Sequence, residues 1–184
     1  MKSQDPQQLS IFGVKYEYLL LISPPENVKE EIAQIKRKFN AYFKNKICDL
    51  KSIAHITLHN KGYELDNYAK LVNDSVNDIK AFPITIEGWG KFDNNKKNKH
   101  VIYLKIKEPH PIISLMKSLK SKSHVPHITI AKEVNSELLP AIGKFFENLN
   151  YTAEWECKDV TILRRPILER HLSYKEAYRV MLNR

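Results

Sequence analysis

Two short stretches of the sequence each carry a histidine with a threonine two residues later: His55-Ile56-Thr57-Leu58 and His127-Ile128-Thr129-Ile130. On a β-strand, successive side chains point to opposite faces, so the histidine and threonine of each stretch share one face, roughly 6.5–7 Å apart along it. The aliphatic partners Ile56, Leu58, Ile128 and Ile130 then face a core. An imidazole and a hydroxyl offered twice to the same space suit cleavage of a phosphodiester. That reaction needs one group to take a proton from the attacking oxygen and another to give one to the leaving oxygen. Histidine, with an ordinary pKa near ~6.5, does either at neutral pH. Threonine hydroxyls can donate hydrogen bonds to the non-bridging oxygens, where charge builds in the transition state. No metal is required by such a set.

With seven histidines in 184 residues and few threonines, about 0.2 His-x-Thr triplets are expected by chance, so one motif is weak and two with aliphatic partners are specific. The remaining histidines carry less. On a continuing strand, His59 would share the face of His55 but sit about 13 Å from it, too far for a shared metal. His124 is placed where it could line a cleft. No carboxylate or cysteine stands near either motif, and there is neither a glycine-rich phosphate loop nor a nucleophile-elbow serine. Accordingly no metal and no cofactor are expected.

The elements that must position these residues follow from apolar periodicity. Residues 16–23 read as a buried strand ended by Pro24-Pro25. Val28, Ile32, Ile35, Phe39 and Tyr42 mark one helix face. Residues 53–58 form the first motif strand, 65–79 a second helix, and 82–89 a strand ending in a Gly88-Trp89-Gly90 turn. The second half repeats the order: strand 101–106, a helix through Ile112, Leu115, Met116 and Leu119, motif strand 125–131, a helix from Leu138 to Leu149, and strands 151–157 and 160–163. Residues 91–99 read as a polar flexible loop, and the tail from Pro166 as a turn or short helix packing back. The chain is thus one domain over residues 1–184, with a first lobe at about 12–90 and a second at about 100–165.

Composition bounds the function classes. The chain is 42% hydrophobic and 28% charged, ordinary for a globular protein with a sizeable core. No apolar run is long enough to span a bilayer, and the opening MKSQDPQQLS shows no secretory signal, so a cytoplasmic protein without membrane contact is expected. Cys48 and Cys157 are too few and too far apart for a disulfide framework or zinc knuckle. A net charge of +9, from 30 Lys+Arg against 21 Asp+Glu, favours anionic partners, here RNA ends or small nucleotide phosphodiesters. Phe92 could stack a base or cap the core. Lys132, Arg164 and Arg165 are candidate phosphate-binding cations or plain surface charges. Lys96, Lys97 and Lys99 could draw in RNA or merely solvate a loop.

On its two His-x-Thr-aliphatic motifs, the Gly88-Trp89-Gly90-Lys91-Phe92 segment, and the strand 160–163 followed by Tyr174, the chain resembles the 2H phosphoesterase superfamily. Within it the resemblance is to the 2′-5′ RNA ligase-like, or cyclic phosphodiesterase, branch. It runs over residues 16–178. It implies an α+β, bilobal fold of two pseudo-symmetric antiparallel β-sheets with outer helices and a central cleft. His55 and His127 would face each other across that cleft, with Thr57 and Thr129 on the phosphate oxygens. It further implies metal-independent opening of 2′,3′-cyclic phosphates, or reversible joining of 2′-5′ linkages. Pro126 and Ala131-Lys132 suit the pattern. Arg164-Arg165 stand where the family usually has a serine, a departure an arginine could compensate. The expected state is a monomer. Two other readings stay open: a nucleotide- or RNA-binding module of the same fold with little turnover, and a phosphotransfer enzyme passing through a phosphohistidine.

Overall fold

Proline and apolar periodicity set the element boundaries in the structure, a computed structural model that describes residues 15–44, 50–61, 68–94, 98–122 and 124–183. The order is β1 (Tyr16–Ile22), α1 (Glu26–Tyr42), β2 (Ile56–Lys61), α2 (Tyr68–Val76), β3 (Phe82–Asn94), β4 (Lys99–Ile106) and α3 (His110–Ser118), then β5 (His127–Asn135), α4 (Leu139–Leu149), β6 (Thr152–Cys157), β7 (Asp159–Pro166) and β8 (Lys175–Met181). Pro24 and Pro25 lack the N–H that a strand ladder needs, and Pro25 stands just before α1. Asn150, left-handed at φ 40°, ends α4. Leu65, Cys48, Lys96 and Lys97 lie outside the described residues.

The fold is α+β. All eight described strands join in one antiparallel sheet ordered β6-β3-β4-β5-β2-β1-β7-β8. It divides into two groups of four, β6-β3-β4-β5 and β2-β1-β7-β8, which meet where Ile56 pairs with Ile128. The two expected sheets are therefore the halves of one, joined at the motif strands. Strand β3 closes the first strand–helix repeat in the chain but pairs with β4 and β6. Beside β1, the corresponding place is filled by β7.

The core lies on one side of the sheet, where Val28, Ile32, Ile35 and Phe39 of α1, Tyr68, Val72 and Val76 of α2, Ile112, Leu115 and Met116 of α3, and Ile142 and Phe146 of α4 pack on strand residues. Ile56 and Ile128 are both fully buried there. Only Lys158 separates β6 from β7, although these strands lie in opposite groups, so the sheet curves to bring its ends together. Leu182 N donates to Lys158 O at 2.8 Å, and Asn183 N to Ile79 O at 2.9 Å, fastening the tail.

Two expectations are corrected. The tail forms strand β8 because residues 175–181 find ladder partners along β7, with Val180 buried in it and Leu182 buried just past its end. The Gly88-Trp89-Gly90 segment does not end its strand. Gly88, at φ 77°, is accommodated as a bulge between Ile86 and Trp89, and β3 continues to Asn94 against β4. Lys91, Phe92 and Asp93, expected in a loop, are strand residues.

Candidate active site

The motif residues alternate as their sequence requires. His55, Thr57, His127 and Thr129 are half-buried, while Ile56, Leu58, Ile128 and Ile130 are buried on the helix side. The antiparallel pairing of Ile56 with Ile128 sets Thr57 toward His127 and His55 toward Thr129. On such a pair, diagonal residues lie about 7–8 Å apart, room for one phosphate group between two imidazoles. Each histidine is held the same way. The Nδ1–H of His55 donates to Ile53 O at 2.8 Å, and that of His127 to Val125 O at 2.8 Å. A carbonyl can only accept, so both rings carry their neutral-form proton on Nδ1 and leave Nε2 as the basic atom.

Both motif strands bulge just past the threonine. On β5, Tyr103 pairs with Thr129 and Ile102 with Ala131, so Ile130 is the extra residue. On β2, Leu21 pairs with Thr57 and Leu20 with His59, so Leu58 is extra. After a bulge the alternation shifts by one. Ile130 and Ala131 both enter the core, which puts Lys132 on the His127–Thr129 face. The same shift turns His59 away from His55. Its Nδ1 meets the hydroxyl of Tyr68 on α2 at 2.9 Å.

The His127 side is walled by aromatic rings. Tyr103 stacks on Phe92 with centroids 4.3 Å apart, and His127 meets Phe92 edge-on at 4.8 Å and Tyr103 at 5.2 Å. Gly90 permits this: a Cβ there would lie 2.7 Å from the Tyr103 ring. Beside His55 the equivalent register positions, Leu21 opposite Thr57 and Leu163 opposite Leu19, are aliphatic. Gly90→Ala should therefore push Tyr103 off Phe92. Overpacking of this kind costs about 1–3 kcal/mol, equivalent to several degrees of Tm in a chain this size. Thermal unfolding and kcat should both fall; unchanged values would mean that the ring does not depend on that gap.

Burial is the main influence holding His55 below the usual histidine range. The charges of Lys36, Lys132 and His127 lower it further, while the bond to Ile53 works against them. Burial also lowers His127, with a smaller push from Lys132 and an opposing one from Val125. The Lys132 cation is thus felt by both rings.

The other predicted residues divide. Phe92 and Lys132 join the cluster. Arg164 does not: it pairs with Tyr18 in the ladder and lies 4.7 Å over the Tyr16 ring. Arg165 is committed to Glu17, with Nε donating at 2.6 Å, and to the Arg170 carbonyl at 3.0 Å. Lys99 bonds Asn135, and His124 is exposed. Cys157 is buried, which pushes its thiol up to about 12 and makes it a poor nucleophile. Among the described residues, no group of three or more His, Cys, Asp or Glu side chains could hold a metal ion. No helix among them is long and apolar enough to cross a membrane. Tyr103 and Lys36 were not singled out from sequence, and Gly90 was noted only as part of the glycine segment, not for the space it leaves to Tyr103. For Lys36 a signal existed, since it falls on the apolar stripe of α1 with Ile32, Ile35 and Phe39.

Comparison with known proteins bears on the fold and the family. The family model of the 2′-5′ RNA ligase superfamily matches residues 24–166. No curated protein matches the chain. Among solved structures, Escherichia coli LigT in its apo form aligns with a TM-score of 0.66 at 15% identity, covering 94% of this chain and all of that one. TT0787 of Thermus thermophilus aligns at 0.65 and 16% identity, covering 90% and 97%. Kluyveromyces marxianus Usb1, solved with uridine monophosphate, aligns at 0.51 and 11%, covering 83% and 98%. The shared fold, and a family model that spans most of the sequence, establish that the chain belongs to the 2′-5′ RNA ligase superfamily of 2H phosphoesterases.

Proposed function

We propose that this protein is a metal-independent phosphodiesterase acting in the cytoplasm on RNA 2′,3′-cyclic phosphate ends or on 2′-5′ linkages, with His55 and His127 as general base and general acid. The observation that carries the reading is the mirrored pair of Nδ1–H bonds, to Ile53 and Val125, which leaves two Nε2 atoms for proton transfer on one face. One Nε2 takes the proton of the attacking water as its oxygen bonds to phosphorus. The other, protonated, gives its proton to the ribose oxygen as that P–O bond breaks, leaving a phosphomonoester. Thr57, Thr129 and Lys132 stabilise the non-bridging oxygens. Phe92 and Tyr103 hold the His127 ring and offer an aromatic edge to a nucleoside. LigT has been solved with phosphate and with 3′-AMP, ligands of the proposed class.

The test is a substrate panel in the presence of EDTA, comparing 2′,3′-cyclic nucleotides with 2′-5′ and 3′-5′ dinucleotides and identifying whether phosphate ends on O2′ or O3′. Turnover of a cyclic phosphate supports the reading. Tight binding of adenosine monophosphate with no product from any substrate would replace it with a nucleotide-binding module.

The pH dependence follows from the two lowered imidazoles. The base must have lost its proton, which sets the rising limb; the acid must retain its proton, which sets the falling one. The kcat/KM profile reports the free enzyme. Its bell should therefore centre on the acid side of the ordinary histidine value, about 6.5. A bound phosphodiester anion favours imidazolium, so the kcat profile should lie at higher pH. A kcat/KM bell centred above neutrality contradicts the assignment.

A further inference from the structure

The two motif histidines are held alike but by segments of different stiffness. Between Val125, whose carbonyl receives the His127 proton, and His127 itself stands Pro126, which fixes its own φ and restricts Val125. The matching position before His55 is Ala54, which does neither. Residues 50–55 belong to no helix or strand, so no ladder fixes the Ile53 carbonyl. What reaches this segment is Lys36 of α1. Lys36 is only 4% exposed, and its Nζ donates to Ser52 O at 2.7 Å, one residue before the carbonyl that orients His55. A small cavity is lined by Lys36 and Ser52 together with Thr129, Ile130, Ala131 and Lys132, so the lysine and the segment it holds lie beside the second motif strand.

We propose that Lys36 is a positioning residue for His55. By anchoring Ser52 it supplies to His55 the stiffness that Pro126 supplies to His127. Among the described residues, the charges that act on His55 are those of Lys36 on α1 and Lys132 and His127 on β5, and the charge that acts on His127 is that of Lys132. A buried lysine on an apolar helix face is costly unless its charge is satisfied. The Ser52 carbonyl gives that charge a partner on the segment that orients His55.

The decisive experiment is histidine 15N NMR of the ligand-free protein, which does not depend on the reaction proposed above, together with pH–rate profiles, which do. In Lys36→Met, His55 should lose its single Nδ1–H tautomer while His127 keeps its own. The value of kcat should fall about 10–100-fold, the scale of a misplaced group, with KM little altered. Lys36→Gln keeps a donor for Ser52 but no charge, so the tautomer should persist, the His55 titration should rise, and the limb of kcat/KM that His55 sets should move up with it. Lys36→Arg keeps both and should recover most of the rate. An unchanged His55 tautomer in folded Lys36→Met overturns the proposal, as does an equal change in both histidines. If that variant does not fold, an unchanged His55 titration in Lys36→Gln overturns it. Altered His55 resonances in a protein that turns over no phosphodiester would leave this inference standing and remove the catalytic reading.

Discussion

Replacing His55 or His127 with alanine is expected to lower kcat on a 2′,3′-cyclic nucleotide by about 10²–10⁴, the range of one lost proton transfer. Each ring is half-buried and hydrogen-bonded to a backbone carbonyl two residues away, so its removal breaks no strand pair and Tm should move little, somewhat more for His127, which also packs on Phe92 and Tyr103. The double variant should be far less impaired than the product of the two single losses. A base without its acid, or an acid without its base, already forfeits the concerted step, and residues acting as a unit are not additive. The KM of the single variants should change less than kcat, because Thr57, Thr129 and Lys132 still hold the phosphate. Steady-state kinetics with circular dichroism checks all of this. Retention of wild-type turnover by either single variant would remove that histidine from the mechanism.

Ile56→Ala should damage the protein through geometry instead. Ile56 is fully buried and forms with Ile128 the pair at which the two four-strand groups meet. Truncating such a side chain costs about 2–5 kcal/mol through lost transfer energy and the cavity left behind. Here the cavity opens at the seam that sets the separation of the two imidazoles. A fall in kcat beyond the loss of folded protein is therefore expected, as a shift of about 1 Å can cost 10²-fold. Ile84→Ala on β3 is the control, equally buried but paired with Trp155 and away from the seam. It should lose comparable stability with kcat nearly intact. Equal kinetic damage from both substitutions would show that the seam has no special role.

The site was legible in the sequence wherever a single strand determined it. Alternation alone sets His55 with Thr57 and His127 with Thr129 opposite their aliphatic neighbours, and the structure keeps that pattern. The bulges past the threonines were not legible. Neither contains a glycine, and Leu58-His59 and Ile130-Ala131 read as continued strands, so that Lys132 reaches the site only through a one-residue slip visible in the register. Gly88 misled in the opposite sense. Flanked by Gly90 and an asparagine-rich stretch it read as a turn, whereas one positive-φ residue was absorbed as a bulge inside β3. Adjacent arginines on a strand must point to opposite faces, which already limited Arg164 and Arg165 to one cleft residue. That Glu17 claims Arg165 depended on the pairing of β1 with β7, a contact between chain ends that no local pattern encodes. The place of β7 beside β1, where chain order suggests β3, has the same origin. Lys36 was readable, as a cation on the apolar face of α1, but its partner Ser52 was not.

Everything in the catalytic account depends on both imidazoles reaching the same phosphorus. Titrating adenosine 2′-monophosphate into 15N-histidine-labelled protein in EDTA tests this directly. The account predicts that the Nε2 resonances of His55 and His127 shift together with one saturation curve, and that both rings become more basic in the complex. A shift confined to one of the two, or to other histidines, would contradict it.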